Sequence, residues 1–259
     1  MKLYHYTTFT NFCSIWIQQK LKFSGWTNCN DVFEREKVYK LTQQSLEYNG
    51  KKYPYGILKQ FKEKVFEEVG KYQQISFILD YNKELKGYAS PMMWGHYARD
   101  YQRSGVCLEL DSSKIKYPKG SKVYKKKVSY SKNLKPTSIE GVDAEKEDAA
   151  QTFVIKNRNN LFFYKHWHWK YENEYRLVSK DCKDLDISDA ITSVYVLGED
   201  TITLELVKHI IKDTGRISFL NISGLERQYL NPINLYEYDE LQEEIKYINE
   251  NNINIWNTE

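Results

Sequence analysis

Between Trp167 and Leu177 the chain reads Trp-His-Trp-Lys-Tyr-Glu-Asn-Glu-Tyr-Arg-Leu, with polar residues at two-residue spacing inside an aromatic run. Alternate side chains of a strand share a face. An extended reading therefore puts Glu172, Glu174 and Arg176 on one side and Trp169, Tyr171, Asn173, Tyr175 and Leu177 on the other. That pattern demands a sheet with one polar, site-bearing stretch on an otherwise buried strand. With 259 residues, 41% of them hydrophobic and 15% aromatic, the chain has enough apolar surface for a sizeable core.

The rest of the sequence supplies elements to pack around that strand. Leu3 to Tyr6 reads as a first strand, with Thr10 placed to cap a helix over Phe12, Ile15 and Trp16. Phe61, Val65 and Val69 at four-residue spacing mark an amphipathic helix from Leu58 to Val69, closed by Gly70. Gln74 to Leu79 is a strand, and Ser90-Pro91 opens a helix through Met93, Trp94 and Tyr97, with proline in the first turn where its missing N–H is harmless. Strands follow at Gly105 to Leu110 and Val123 to Tyr130. Asp143 to Phe163 is expected to be the longest helix, with acids at its start. Further strands fall at Ile191 to Leu197 and Arg216 to Ile222, and helices at Thr201 to Lys212 and near Tyr238 to Asn249. There is no regular βαβ rhythm and no glycine-rich phosphate loop. The expected fold is α+β, a single domain over 1–259 with a mixed or antiparallel central sheet flanked by helices.

Net charge is only +3, which by itself identifies no nucleic-acid binder. Nine lysines do crowd between Lys114 and Lys135 without one acid. Three of them are consecutive, Lys125 to Lys127, so a solvated hairpin or loop competes with phosphate attraction. Four cysteines, Cys13, Cys29, Cys107 and Cys182, form no CxxC pair, as expected of a reduced, cytoplasmic setting. No stretch has the length of a membrane span. His166 and His168 alternate as metal ligands do, but without a third and fourth ligand beside them no metal is expected.

Four motifs occur in order: Tyr4-His5-Tyr6-Thr7; Asn30-Asp31-Val32-Phe33-Glu34; Met93-Trp94-Gly95-His96-Tyr97-Ala98 followed by Gly105-Val106-Cys107-Leu108-Glu109; and Glu172-Asn173-Glu174-Tyr175-Arg176. Together they resemble the bacterial domain-of-unknown-function family 2971, over roughly Leu3 to Val178. A more distant similarity is to ADP-ribosyltransferases. These carry an aromatic-His or Arg on a first strand, a serine on a second, and a Glu-x-Glu or Gln-x-Glu on a third. Tyr4-His5, Ser76-Phe77-Ile78 and Glu172-Asn173-Glu174 match in that order, except that the toxin-like pattern has a second serine where this chain has Ile78.

The second resemblance implies an ADP-ribosyltransferase-like fold and NAD as a substrate, with ADP-ribose passed to a macromolecular acceptor such as nucleic acid, or to water. Cleaving the nicotinamide–ribose bond passes through an oxocarbenium-like state that a nearby carboxylate stabilises. By that analogy Glu174 steadies the cation, Glu172 orients or deprotonates the acceptor, and His5 holds a ribose hydroxyl. Tyr4, Ser76, Trp94, Tyr97, Asn30 and Asp31 are candidate binding residues, and Arg176 a bidentate donor to pyrophosphate. Two other readings stay open. One is a nucleic-acid-binding or nucleic-acid-processing protein holding a divalent metal on Asp31, Glu34, Glu172 and Glu174. The other is a non-enzymatic interaction module in which the Glu and Arg row is an ion-pair ladder.

Overall fold

Val106 to Leu110 is apolar at almost every position, which suits only a strand covered on both faces. In the computed structural model all five residues are buried. The structure describes residues 1–26, 31, 34, 47–48, 51–99, 104–133, 142–197, 201–212, 217–221 and 231–234. Asn30 and the expected helix near Tyr238 lie outside them.

In chain order the elements are β1 (Lys2–Thr7), α1 (Phe9–Gln18), β2 (Lys20–Lys22), β3 (Ser24–Gly25), β4 (Glu47–Tyr48), β5 (Lys51–Lys52), α2 (Tyr55–Gly70), β6 (Gln73–Ile78), α3 (Pro91–Tyr97), β7 (Val106–Asp111), β8 (Val123–Lys127), β9 (Ser129–Ser131), α4 (Ala149–Phe162), β10 (Tyr164–His166), a 3₁₀ helix (Trp167–Glu172), β11 (Glu174–Ser179), β12 (Asp184–Asp186), β13 (Ile191–Leu197), α5 (Thr201–Ile210), β14 (Ile217–Asn221) and β15 (Asn231–Asn234). The protein is α+β, and within each of its compact units the described strand pairs are antiparallel except β13 with β14 and β9 with β10.

The chain packs as two compact units. The first contains Met1–Gln19, Asp80–Ile115 and Ser188–Glu259, the second Lys20–Leu79 and Lys116–Ile187. In unit 1 the strand order is β15-β14-β13-β7-β1, with Tyr4 opposite Glu109 and Tyr6 opposite Cys107 on the β1/β7 ladder. Thr8, not Thr10, caps α1, accepting from Asn11 N through its hydroxyl. Ser90 caps α3 and Pro91 fills its first turn. Gly87 is a requirement: a β-carbon there would overlap the ring of Tyr4, and its carbonyl accepts from Tyr6 Oη at 2.7 Å.

In unit 2 the order is β8-β11-β6-β3, all antiparallel. Its core joins Leu58, Phe61, Val65 and Val69 of α2 to Phe153, Val154 and Leu161 of α4, with Trp26 and Tyr72 around Phe162. The four-residue spacing read from the sequence is thus the buried stripe of α2. The later helix starts at Ala149 rather than Asp143, because the acids before it are spent on turns; Asp143 accepts from Tyr53 Oη at 2.9 Å and from Glu145 N. At 16 residues, α2 is the longest described helix. None of the described helices is long and apolar enough to cross a membrane.

Candidate functional site

The continuous strand expected from Trp167 to Leu177 is broken. Trp167–Glu172 winds into a 3₁₀ helix, Asn173 takes a left-handed conformation (φ 43°, ψ 47°), and the strand starts at Glu174. Asparagine tolerates that conformation better than most residues. Here its side-chain amide is also anchored, donating to Leu79 O at 3.1 Å. Period-two spacing cannot distinguish this turn-and-strand from a strand, since Glu172 and Glu174 converge in either case.

They converge on Lys165. Its Nζ lies 2.6 Å from Glu172, 3.0 Å from Glu174 and 3.8 Å from Glu34. Arg176 completes the network: its guanidinium makes a fork to Glu174 (Nε 2.6 Å, Nη2 2.7 Å), two bonds to Glu34 (2.8 and 3.2 Å) and one to Phe162 O (2.7 Å). All five charged residues are buried, Arg176 completely. Tyr130 Oη accepts the Glu174 backbone N–H at 2.9 Å. The rings of Trp26 and Trp169 stand 5.4 and 5.3 Å from the Arg176 and Lys165 cations.

Ser76 is the exception to this burial. It occupies the exposed position of β6, yet its Oγ donates to Glu174 Oε1 at 2.5 Å across the β6/β11 ladder. An exposed residue is therefore bonded to a buried carboxylate. Glu174 thus accepts from Ser76 and Arg176 Nε on one oxygen and from Arg176 Nη2 on the other, with Lys165 beside it.

Burial alone would raise the Glu174 pKa, but the charges of Arg176 and Lys165 and the hydrogen bonds from Arg176 and Ser76 outweigh it. Its carboxyl is held well below the usual range. Burial likewise works against the charged forms of Arg176 and Lys165, and the surrounding carboxylates overcome it, so both pKa values are raised. Glu174 is therefore a standing negative charge at neutral pH. It is a poor proton acceptor there, because a carboxylate so far below the ambient pH has little affinity for a proton.

The remaining predicted residues are distributed. Asp31 is buried and its carbonyl accepts from the N–H of Glu34, the Arg176 partner, at 3.0 Å. His5, half-buried on β1, and Tyr4, fully buried, belong to unit 1. Tyr4 packs edge-on against Tyr88, 5.8 Å between centroids, and Tyr88 stacks on Tyr195 at 4.2 Å. Burial foremost, and then Glu109 and Asp80, raise the Tyr4 pKa. Trp94 is core: its Nε1 donates to Tyr88 O at 2.8 Å and its ring meets Tyr6 edge-on. Tyr97 is half-buried against His96. Among the described residues no group of three His, Cys, Asp or Glu is arranged to hold a metal. The cations among Glu34, Glu172 and Glu174 are the protein's own Lys165 and Arg176.

Sequence reasoning missed Lys165. The available signal was a solitary lysine in the run Leu161-Phe162-Phe163-Tyr164-Lys165-His166-Trp167, where burial would require a carboxylate partner.

Fold and site together define an α+β protein with a buried carboxylate, guanidinium and ammonium network hydrogen-bonded to the exposed residue Ser76. A family model described as a protein of unknown function (DUF2971) matches residues 93–177. The matched interval includes Met93 to Ala98, Gly105 to Glu109 and Glu172 to Arg176, while the motifs at Tyr4 and Asp31 lie outside it. No curated protein and no solved structure matches the chain.

Proposed function

We propose that the chain is an NAD-consuming enzyme of the ADP-ribosyltransferase type, with Glu174 as the carboxylate that stabilises the ribosyl cation. The observation that carries this reading is the 2.5 Å bond from exposed Ser76 to buried, ionised Glu174. The two residues sit on neighbouring strands, in the serine-then-glutamate order of the resemblance. A fixed negative charge in a site of low dielectric is what a developing oxocarbenium ion needs, and it costs no reorganisation when the bond breaks. Glu174 acts electrostatically in this scheme rather than as a base. Glu172 holds Lys165 in place, so its role is positioning. Because Glu174 is already hydrogen-bonded on both oxygens, a ribose hydroxyl gains it by replacing Ser76 at Oε1.

A second reading rests on the same saturation. A network whose acceptors are engaged and whose members are buried can serve to fix the packing of unit 2 and nothing more. Incubating the protein with NAD, with and without cell lysate or nucleic acid, and following nicotinamide release separates the two. The enzymatic reading expects release by the wild type and a loss of about 10²- to 10³-fold in Glu174→Gln. Ser76→Ala, at an exposed position, removes the hydroxyl that the ribose must displace and so should not slow release. Equal release by wild type and Glu174→Gln, or none by the folded wild type with any acceptor, leaves the architectural reading standing.

A further inference from the structure

Strand β8 ends the strand order of unit 2's sheet. Lysines on such an edge are expected, because they discourage pairing with another chain. That accounts for Lys125, Lys126 and Lys127, all exposed. It does not account for the tyrosines that lie beside cations on both faces of the strand.

On one face Lys125 Nζ stands 3.7 Å from the centroid of the Tyr117 ring. Tyr175, paired with Lys127 across the β8/β11 ladder, has its pKa raised by burial and by neighbouring Tyr117. On the face toward α4 the Tyr124 ring has Lys122 at 5.4 Å and Arg158 at 5.3 Å, and Lys126 Nζ donates to Asn159 Oδ1 at 3.2 Å. Tyr117 and Tyr124 are both only half-buried. No Asp or Glu occurs in the sequence between Asp111 and Glu140.

We infer that this edge binds single-stranded nucleic acid. Lysines neutralise phosphates whatever the base sequence, and half-exposed rings beside cations are platforms on which unpaired bases stack. A duplex keeps its bases stacked on one another and offers these rings no free face. An acidic protein surface would satisfy the lysines but leave Tyr117 without a role, whereas Tyr124 also packs against the core of unit 2. The inference is independent of the NAD reading, since it concerns a surface and not the buried network.

Fluorescence anisotropy of labelled oligouridylate and oligothymidylate, titrated with the full chain between about 50 and 200 mM salt, tests it. Both single strands are expected to bind more tightly than a duplex of the same length. The combined variant Lys122→Gln, Lys125→Gln, Lys127→Gln should flatten the log–log salt slope by about 2, at about 0.7 per phosphate contact on a single strand. Tyr117→Ala should weaken binding roughly 5- to 150-fold with the slope unchanged, circular dichroism verifying the fold of each variant. Failure of the wild type to bind either single strand at the lowest salt overturns the inference. So does tighter binding of the duplex, an unchanged slope in the lysine variant, or wild-type affinity in Tyr117→Ala, which would reduce the surface to unselective polyanion attraction.

Discussion

Arg176→Met keeps much of the side chain's length while removing the charge at the centre of the unit 2 network. Five hydrogen bonds are lost, two to each of Glu174 and Glu34 and one to Phe162 O. Glu34, Glu172 and Glu174 then share Lys165 at 3.8, 2.6 and 3.0 Å. Removing one partner of a buried pair costs about 3–5 kcal/mol, most of it the penalty of the charge left behind. In a chain of this size that corresponds to a fall in Tm of about 10 °C. The deficit should also depend on pH. In the wild type the Glu174 pKa is depressed below its ordinary 4.5, so its contribution is fully present above that value and is lost as pH falls through the depressed one. In the variant, burial dominates and the pKa rises, so protonation relieves the strain and the deficit narrows as pH falls from about 7 to about 5. Urea titrations followed by tryptophan fluorescence across that range measure both quantities. A deficit below about 1 kcal/mol at neutral pH, or one that does not narrow, refutes the idea that these charges are desolvated and mutually dependent.

Three further outcomes are expected. Asn173→Ala should destabilise by about 2 kcal/mol in chemical denaturation, losing both the bond to Leu79 and tolerance of positive φ, whereas Asn173→Gly should lose only about 1 kcal/mol. Gly87→Ala should cost about 1–3 kcal/mol, because the Tyr4 ring it would strike is completely buried and has nowhere to move; a thermal melt that matches the wild type would contradict this. Ser90→Ala should cost about 1 kcal/mol through loss of the α3 cap, read from the same melts.

Much of this arrangement is legible in the sequence. Periodicity found α2, because its apolar stripe repeats every four residues and nothing competes with it. Ser90-Pro91 announced α3 through the chemistry of a helix start. Strand β7 declared itself by being apolar on both faces. The site was legible in its members but not in its form. Spacing placed Glu172 and Glu174 together, yet a left-handed Asn173 achieves that meeting through a turn that period-two counting cannot see. Arg176 reads from the sequence as an outward donor, whereas its position beneath Trp26 and Phe162 depends on contacts with residues far away in the chain. Lys165 was hidden because a single lysine beside aromatics looks like a surface residue until its carboxylates are known.

The division into units has a consequence for how the chain acquires its structure. Unit 1 draws on the beginning, the middle and the end of the sequence, and the boundaries at 19/20, 79/80, 115/116 and 187/188 mean four passages between units. No contiguous fragment consists of either unit alone. During synthesis β1 is made first but pairs with β7, at Val106–Asp111. At about 5–20 residues per second it waits roughly 5–20 s for that partner. Glu174 and Arg176 emerge later still, so Glu34 lacks its guanidinium partner until most of the chain has been made.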